Sequence, residues 1–505
     1  MTERYLKNIL NARVYDVAQE TPLDLARRLS GRLGNQVWMK REDLQPVFSF
    51  KLRGAYNKIA GLPDDQRERG IIAASAGNHA QGVALAANRL GIESLIVMPR
   101  TTPPIKVASV REYGSRITLH GDTYDEACQH AVMLAEQNGM VFIHPYDDPD
   151  VIAGQGTIGL EILREHRNDL HAIFVPVGGG GLISGIAACV KELRPDIRVI
   201  GVEPDEAPCM LRALESGRRV TLKQVGIFAD GVAVRQVGKE PFRIARKFVD
   251  EVIMVSTDEI CAATKDIFDD CRSIVEPAGA LAIAGLKRYV ERTGIRGAEL
   301  VAINSGANIN FDRLRHVAER ADIGEHREAL LAVSSAEEPG SFLRFCASLG
   351  KHGITEFNYR YSGPGKAHVF AGIRLHEGFE ERRQLIEKLS MQGYPVTDLT
   401  GDEIAKLHVR YMVGGRSTGL KDELLYRFQF PERPGALLQF LTAMGKRWNI
   451  SLFHYRNHGA AYGSVLAGIQ VPAKSRKEFR GFLDKLGYVY QEETSSPAYA
   501  LFLGS

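Results

Sequence analysis

From residue 71 onward, short β-branched runs trade places with longer stretches in which apolar residues recur every three or four positions. "GIIAAS" precedes "HAQGVALAANRLG", "SLIVMP" precedes "PIKVASVREYG", and "RITLHG" precedes "YDEACQHAVMLAEQNG". The alternation continues through "MVFIH", "TIGLEILREH", "AIFVPV", "LISGIAACVKEL" and "RVIGVEP". Strand and helix patterns that alternate this regularly predict βαβ units and a doubly wound, mostly parallel sheet, an α/β fold. Ligands of such sheets gather at the strand C-terminal ends.

After about residue 322 the texture changes and a repeat emerges. "EEPGSFLRFCASLGKHGITEFNYR" (337–360) aligns with "ERPGALLQFLTAMGKRWNISLFHYR" (432–456), and "VFAGI" (369–373) with "VLAGI" (465–469). Each copy reads as strand, Pro-Gly turn, helix, strand, hairpin, strand, helix, strand, a β-α-β-β-α-β unit of the ferredoxin-like kind. The expected domains are 1–322, followed by repeat units over 328–410 and 423–504.

Of the 505 residues, 44% are hydrophobic and 25% charged, an ordinary globular mixture. The formal net charge of +3 provides no field that would draw in nucleic acid or an anionic membrane. The six cysteines (Cys128, Cys189, Cys209, Cys261, Cys271 and Cys346) form no CxxC pair and no zinc spacing, which points to free thiols in a reducing compartment. The N-terminus lacks a signal-peptide core and no run of 18 apolar residues occurs, so a cytoplasmic location is expected.

Four stretches carry chemistry. "SFKLRGAYNK" (49–58) sets Lys51 beside Phe50 at a helix start. A lysine forms a Schiff base with a carbonyl cofactor when its amine is partly desolvated, and an aromatic neighbour supplies an apolar wall. The cofactor that then needs a phosphate anchor is pyridoxal phosphate. "AIFVPVGGGGL" supplies one: an apolar strand runs into Gly178, Gly179, Gly180 and Gly181, so bare amides and a helix N-terminus converge. A tight turn alone explains one or two glycines, hardly four. "SAGNHAQG" (75–82) follows a strand and opens a helix, so Ser75, Ala76, Gly77, Asn78 and His79 are placed to receive an amino-acid carboxylate. "NSGANIN" (304–310) puts Ser305 at another strand end. "GQGTIG" (154–159) matches the dinucleotide fingerprint by letter but follows no strand, so no nicotinamide site is expected.

"SFKLRGAYNK", "SAGNHAQG", "GGGGL", "VEPAGA" and "NSGAN", in that order, resemble the fold-type-II pyridoxal-phosphate enzymes, whose fold is that of the tryptophan synthase β chain, and among them the threonine dehydratases. The repeat is similar to the paired ACT-like regulatory domains of the biosynthetic members. The resemblance implies that Lys51 carries the Schiff base, Phe50 packs on the ring, Asn78 meets the ring hydroxyl, Gly178 to Gly181 with Leu182 hold the phosphate, and Ser305 meets the pyridine nitrogen. It implies a lyase that converts L-threonine to 2-oxobutanoate and ammonia, and L-serine to pyruvate, with Lys51 as general base. It further implies a homotetramer inhibited by isoleucine and opposed by valine, with Tyr359, Arg360, Tyr455 and Arg456 as effector contacts. Ala76 stands where related serine racemases carry a second base, which argues against racemisation. In "GVEPDEAPCM" the acidic ligand of a metal site in those relatives aligns with Cys209, so no metal is expected. A serine dehydratase, another lyase of this fold, or a non-catalytic amino-acid sensor stay open as alternatives.

Overall fold

The computed structural model describes residues 2–166, 169–350, 352–363, 365–417, 419–431, 436–456 and 462–504. The chain forms two units, Met1–Ala321 and Asp322–Ser505. In the first, the β-branched runs become strands β1 (Leu23–Leu25), β2 (Gln36–Arg41), β3 (Ile71–Ala74), β4 (Ser94–Met98), β5 (Arg116–Leu119), β6 (Val141–Phe142), β7 (Leu170–Pro176), β8 (Arg198–Pro204), β9 (Glu251–Val255) and β10 (Glu299–Asn304). The pairing is parallel throughout except between β1 and β2, as the alternation predicts. The single sheet expected is in fact two, in the orders β5-β4-β3-β6 and β1-β2-β10-β7-β8-β9. Alternation reports that strands are linked by helices, but leaves open which edge each strand joins.

The second unit holds β11 (Glu328–Ala336), β12 (Ile354–Arg360), β13 (Lys366–Arg374), β14 (Val396–Asp398), β15 (Glu423–Pro431), β16 (Asn449–Arg456), β17 (Tyr462–Gln470) and β18 (Val489–Glu492). Each repeat supplies four strands and two long helices, Ser341–Leu349 with Phe379–Met391, and Ala436–Met444 with Arg476–Leu486. The two repeats fuse into one antiparallel sheet, β14-β11-β13-β12-β16-β17-β15-β18, through the seam between β12 and β16. Phe342, Phe345, Phe357, Phe440, Phe453 and Phe479 fill the core between sheet and helices. The Pro-Gly turn of the first copy ends in Gly340 at φ 88°, a left-handed conformation that suits glycine. Its counterpart at 434–435 lies outside the described residues.

The helix Lys51–Ala60 is fixed by two features of its sequence. Gly54 lies against the helix Pro149–Glu165, where a Cβ would come within 2.6 Å of the Val151 carbonyl, and Gly154 faces it, its Cβ position 2.7 Å from the Gly54 Cα. The glycines of "GQGTIG" therefore sit mid-helix and serve close helix packing. Beside that crossing, Arg53 is fully buried. Its guanidinium donates to both Glu42 oxygens at 2.8 Å, to Glu161 at 3.0 Å and to Thr157 at 3.1 Å, while Lys40 pairs with Glu161 at 2.8 Å. Removing one partner of such a cluster strands the remaining charges away from water. Arg53→Leu is expected to cost about 3 to 5 kcal/mol, measured as a lowered denaturant midpoint for the unfolding of the first unit.

Candidate active site

The C-terminal ends of β3, β4, β6, β7 and β10 open onto one cleft of about 1020 Å³, and Lys51 lies in its wall. The turn before Lys51 is held by the segment after β10. Phe48 has φ 53°, a strained value for a bulky side chain, and its carbonyl accepts from the Ala307 amide at 2.9 Å. The Phe50 amide donates to the Ser305 carbonyl at 3.3 Å, and Ser49 bridges Gly306. Lys51 and Ser305 thus share one cleft by direct stitching of their backbones. The Lys51 ammonium lies 5.2 Å from the Phe50 ring centre and 3.5 Å from the Pro145 carbonyl. Burial pushes its pKa down to about 8, opposed by the nearby Glu276 carboxylate.

Residues Ser75 to Gly77 carry the chain from β3 into the helix Asn78–Leu90. The Ser75 hydroxyl accepts from the Gly77 amide at 3.2 Å, which tightens the turn. Ala76 and Gly77 line the cleft and bring no side-chain base to it. His79 is buried and sets Nε2 against the Ile143 carbonyl at 2.9 Å. A carbonyl only accepts, so the ring proton resides on Nε2. Burial, reinforced by Lys51, drives its pKa to about 3 and keeps the ring neutral. Asn78 donates from Nδ2 to Glu276 Oε1 at 2.6 Å and accepts on Oδ1 from Asn308 Nδ2 at 2.7 Å.

Glu276 and Asn308 are absent from the sequence-derived site. Both fall inside stretches quoted above, "VEPAGA" and "NSGAN", without a role given to either, and Glu276 directly precedes the Pro277 that starts the helix Pro277–Thr293. Glu276 is 4% exposed and lines the cleft. Burial raises its pKa to about 7, helped by Asp230 and opposed by the Asn78 bond, Lys106 and Lys51.

The glycine run joins β7 to the helix Gly181–Leu193. Each glycine has its own packing reason. A Cβ at Gly179 would lie 2.2 Å from the Tyr146 ring and one at Gly181 3.0 Å from the Tyr146 Cβ, a Cβ at Gly178 would meet Val232 at 3.0 Å, and Gly180 has φ 93°. The turn itself thus requires only Gly180, in line with the expectation that it explains one or two of the four, and the other three answer to packing against Tyr146 and Val232. The backbone amides of Gly178 to Leu182 have no acceptor among the described residues and sit at a helix N-terminus that lines the cleft. Ser305 is buried, its hydroxyl 3.3 Å from the Ala278 carbonyl. Amides for a phosphate, an amine for an aldehyde, an amide N–H and a hydroxyl for ring heteroatoms therefore meet in one cleft. This donor set fits pyridoxal phosphate.

The Glu203 carboxylate, by contrast, is taken up by the amides of Met210 at 2.7 Å and Leu211 at 2.9 Å. No helix among the described residues is long and apolar enough to cross a membrane.

In the second unit the four candidate effector residues divide between the two faces of the sheet. Tyr359 and Tyr455 belong to the helix-side core, and the Tyr359 hydroxyl donates to Glu337. Arg360 and Arg456 point to the opposite face. All five Arg360 N–H groups are satisfied within the protein, by Glu423 at 2.5 and 3.2 Å, the Gly415 carbonyl at 3.1 Å, the Ser451 carbonyl at 3.3 Å and the Leu503 carbonyl. Arg456 donates to Glu356 at 2.7 Å and stacks 4.7 Å above the Tyr411 ring. Both arginines are struts within the unit. On the helix side, a crevice of about 10 Å³ between Gly340 to Leu343 of the first repeat and Leu441 to Ile450 of the second has room for about one water molecule.

Comparison with known proteins agrees with this geometry. Residues 14–306 match the family described as pyridoxal-phosphate dependent enzyme. Residues 319–409 and 414–503 each match the C-terminal regulatory domain of threonine dehydratase. The chain is 56% identical over 502 residues to the biosynthetic L-threonine dehydratase IlvA of Burkholderia multivorans, covering 99% of both chains. It is 52% identical over 499 residues to its Escherichia coli namesake, covering 99% of this chain and 97% of that one. Among solved structures, the processed form of threonine deaminase isoform 2 from Solanum lycopersicum superposes with a TM-score of 0.63 at 51% identity, covering 64% of this chain and 88% of that one. A pyridoxal-phosphate lyase scaffold in the first unit and a duplicated regulatory domain in the second place this chain in the family of the biosynthetic threonine dehydratases.

Proposed function

We propose that this chain eliminates water from L-threonine and releases ammonia, leaving 2-oxobutanoate, with L-serine as a second substrate that yields pyruvate. The observation that carries the reading is a lysine of depressed pKa in the same cleft as a helix N-terminus of unpaired amides. When bound, pyridoxal phosphate supplies an aldehyde to condense with the substrate amine and a ring that draws electrons from its α-carbon.

The chain's own residues do the rest. The amides of Gly178 to Leu182 hold the phosphate dianion against the positive end of the helix dipole. Lys51 would hold the cofactor aldehyde, and its Nζ, uncharged above its lowered pKa, is the group placed to take the substrate's α-proton as general base. Phe50, Asn78 and Ser305 line the same cleft, where Phe50 would wall the ring, the Asn78 amide would donate to its oxygen and the neutral Ser305 hydroxyl would meet its nitrogen. Ser75 to His79 supply the turn for the substrate carboxylate. A hydroxyl in place of a carboxylate at Ser305 limits how far the ring nitrogen is charged, which favours β-elimination over transamination.

Isoleucine is proposed as inhibitor and valine as its opponent, acting on the second unit on the side where Tyr359 and Tyr455 lie, in a cytoplasmic homotetramer. The duplicated regulatory domain and the half-buried Tyr359–Glu337 bond, which Asn449 of the second repeat also meets, support that assignment. An effector works only through unequal affinity for two states.

Four outcomes are expected. Purified protein loaded with pyridoxal phosphate should form keto acid from L-threonine, and millimolar L-isoleucine should suppress it. Lys51→Ala should abolish turnover; threonine turnover at the wild-type rate in that variant would overturn the mechanism. In the apoenzyme, acylation of Lys51 followed by peptide mass spectrometry should rise with a midpoint near pH 8, because the amine is protonated and unreactive below its pKa, whereas exposed lysines should rise near pH 10.5. Tyr359→Phe should raise the isoleucine concentration for half inhibition by about fivefold or more, within the usual range of coupling energies.

A further inference from the structure

An asparagine amide meets a ligand as donor or as acceptor depending on which way it is turned, and its shape is nearly the same in both orientations. Asn78 lines the cleft, so its orientation decides what the site recognises. That orientation is settled one residue further out. The Val47 carbonyl accepts and cannot donate, so the Asn308 atom that approaches it at 2.8 Å is the nitrogen. The second N–H of the same nitrogen reaches Asn78 at 2.7 Å, and the atom it meets is therefore the Asn78 oxygen. With its oxygen committed, Asn78 turns its nitrogen the other way. One of its N–H bonds goes to Glu276 Oε1 at 2.6 Å, and the other has no acceptor among the described residues.

From this chain of donors and acceptors we infer that Asn308 is a positioning residue: anchored on the Val47 carbonyl, it locks the Asn78 amide as a hydrogen-bond donor into the cleft, so that the site takes an oxyanion there. The inference rests on the functional reading above, in which that oxyanion belongs to the cofactor ring. The same side chain has a second consequence. Val47 and Phe48 expose consecutive carbonyls, one held by Asn308 Nδ2 and the other by the Ala307 amide, so the strained turn that leads into Lys51 is gripped by the loop that also sets Asn78.

The test is polarity reversal without change of shape. Asn308→Asp replaces the NH2 by an oxygen, which has no proton for Val47 or Asn78, so Asn78 must rotate and offer its own oxygen to the cleft. Apoenzyme is titrated with pyridoxal phosphate, and the absorbance of the bound cofactor is followed against pH beside kcat and KM for L-threonine. Asn308→Asp should weaken cofactor binding by about tenfold or more, the usual effect of losing a hydrogen bond to a charged oxygen, and should move the pH midpoint of the cofactor band. Asn308→Ala, which removes the contacts without reversing them, should give a smaller loss and a thermal midpoint that reports its fold. In the background of Asn78→Ala, adding Asn308→Asp should cost clearly less than it does in the wild type, leaving only the part that comes through the Val47 carbonyl, because the rest acts through Asn78. Wild-type affinity and an unmoved band in Asn308→Asp, or losses that simply add in the double variant, would overturn the inference. Wild-type protein that fails to bind pyridoxal phosphate would overturn the functional reading instead, and this inference with it.

Discussion

Two buried cations and two buried anions meet beneath the helix that starts at Lys51. Arg53 and Lys40 face Glu42 and Glu161, all four essentially without solvent contact. Bringing these charges out of water is expensive, and the cost is offset only when every donor finds an oxygen in good geometry. That condition fixes where β2, the Lys51 helix and the helix Pro149–Glu165 lie relative to one another. The Gly54–Gly154 contact lets the two helices approach closely enough for the charges to meet. Lys51 is two residues from Arg53, so its place in the cleft is inherited from this cluster.

The same burial that makes the cluster demanding gives the cleft its chemistry. Lys51 and Glu276 are pushed toward each other in pKa, to about 8 and about 7, because each charged form loses hydration. An amine in water would stay protonated and inert at neutral pH. In the cleft it is poised near the working range, which is where general acid–base chemistry is efficient. His79, by contrast, is driven so far down that it stays neutral and becomes part of the wall.

The regulatory unit is organised by a different constraint. Fusing two repeats along β12 and β16 leaves polar side chains on the sheet face away from the helices, and these must be paired. Glu423 receives Arg360 of the first repeat, and Glu356 of the first receives Arg456 of the second, so each ion pair crosses the seam. A shift between the repeats would have to break such pairs or move them together.

Much of this was legible in the residues in order. The alternation of strand and helix gave parallel sheets, the aligned copies gave a duplicated second unit, and the motifs named Lys51, Asn78, the glycine loop and Ser305, all of which line one cleft in the first unit. These features are local: periodicity, a run of glycines, or a lysine after an aromatic is decided within a few positions. What only the tertiary structure decided is contact between segments far apart in the chain. Glu276 lies 198 positions from the Asn78 it pairs with, and Asn308 lies 230 positions from the same residue. Both lie inside stretches that stand out in the sequence, "VEPAGA" and "NSGAN", but the role of each is set by a partner far away along the chain. The split into two sheets and the packing of Tyr146 against the glycines are of the same kind. A sequence states which side chains are available, and burial, which depends on what the rest of the chain brings up against them, determines which are left to react.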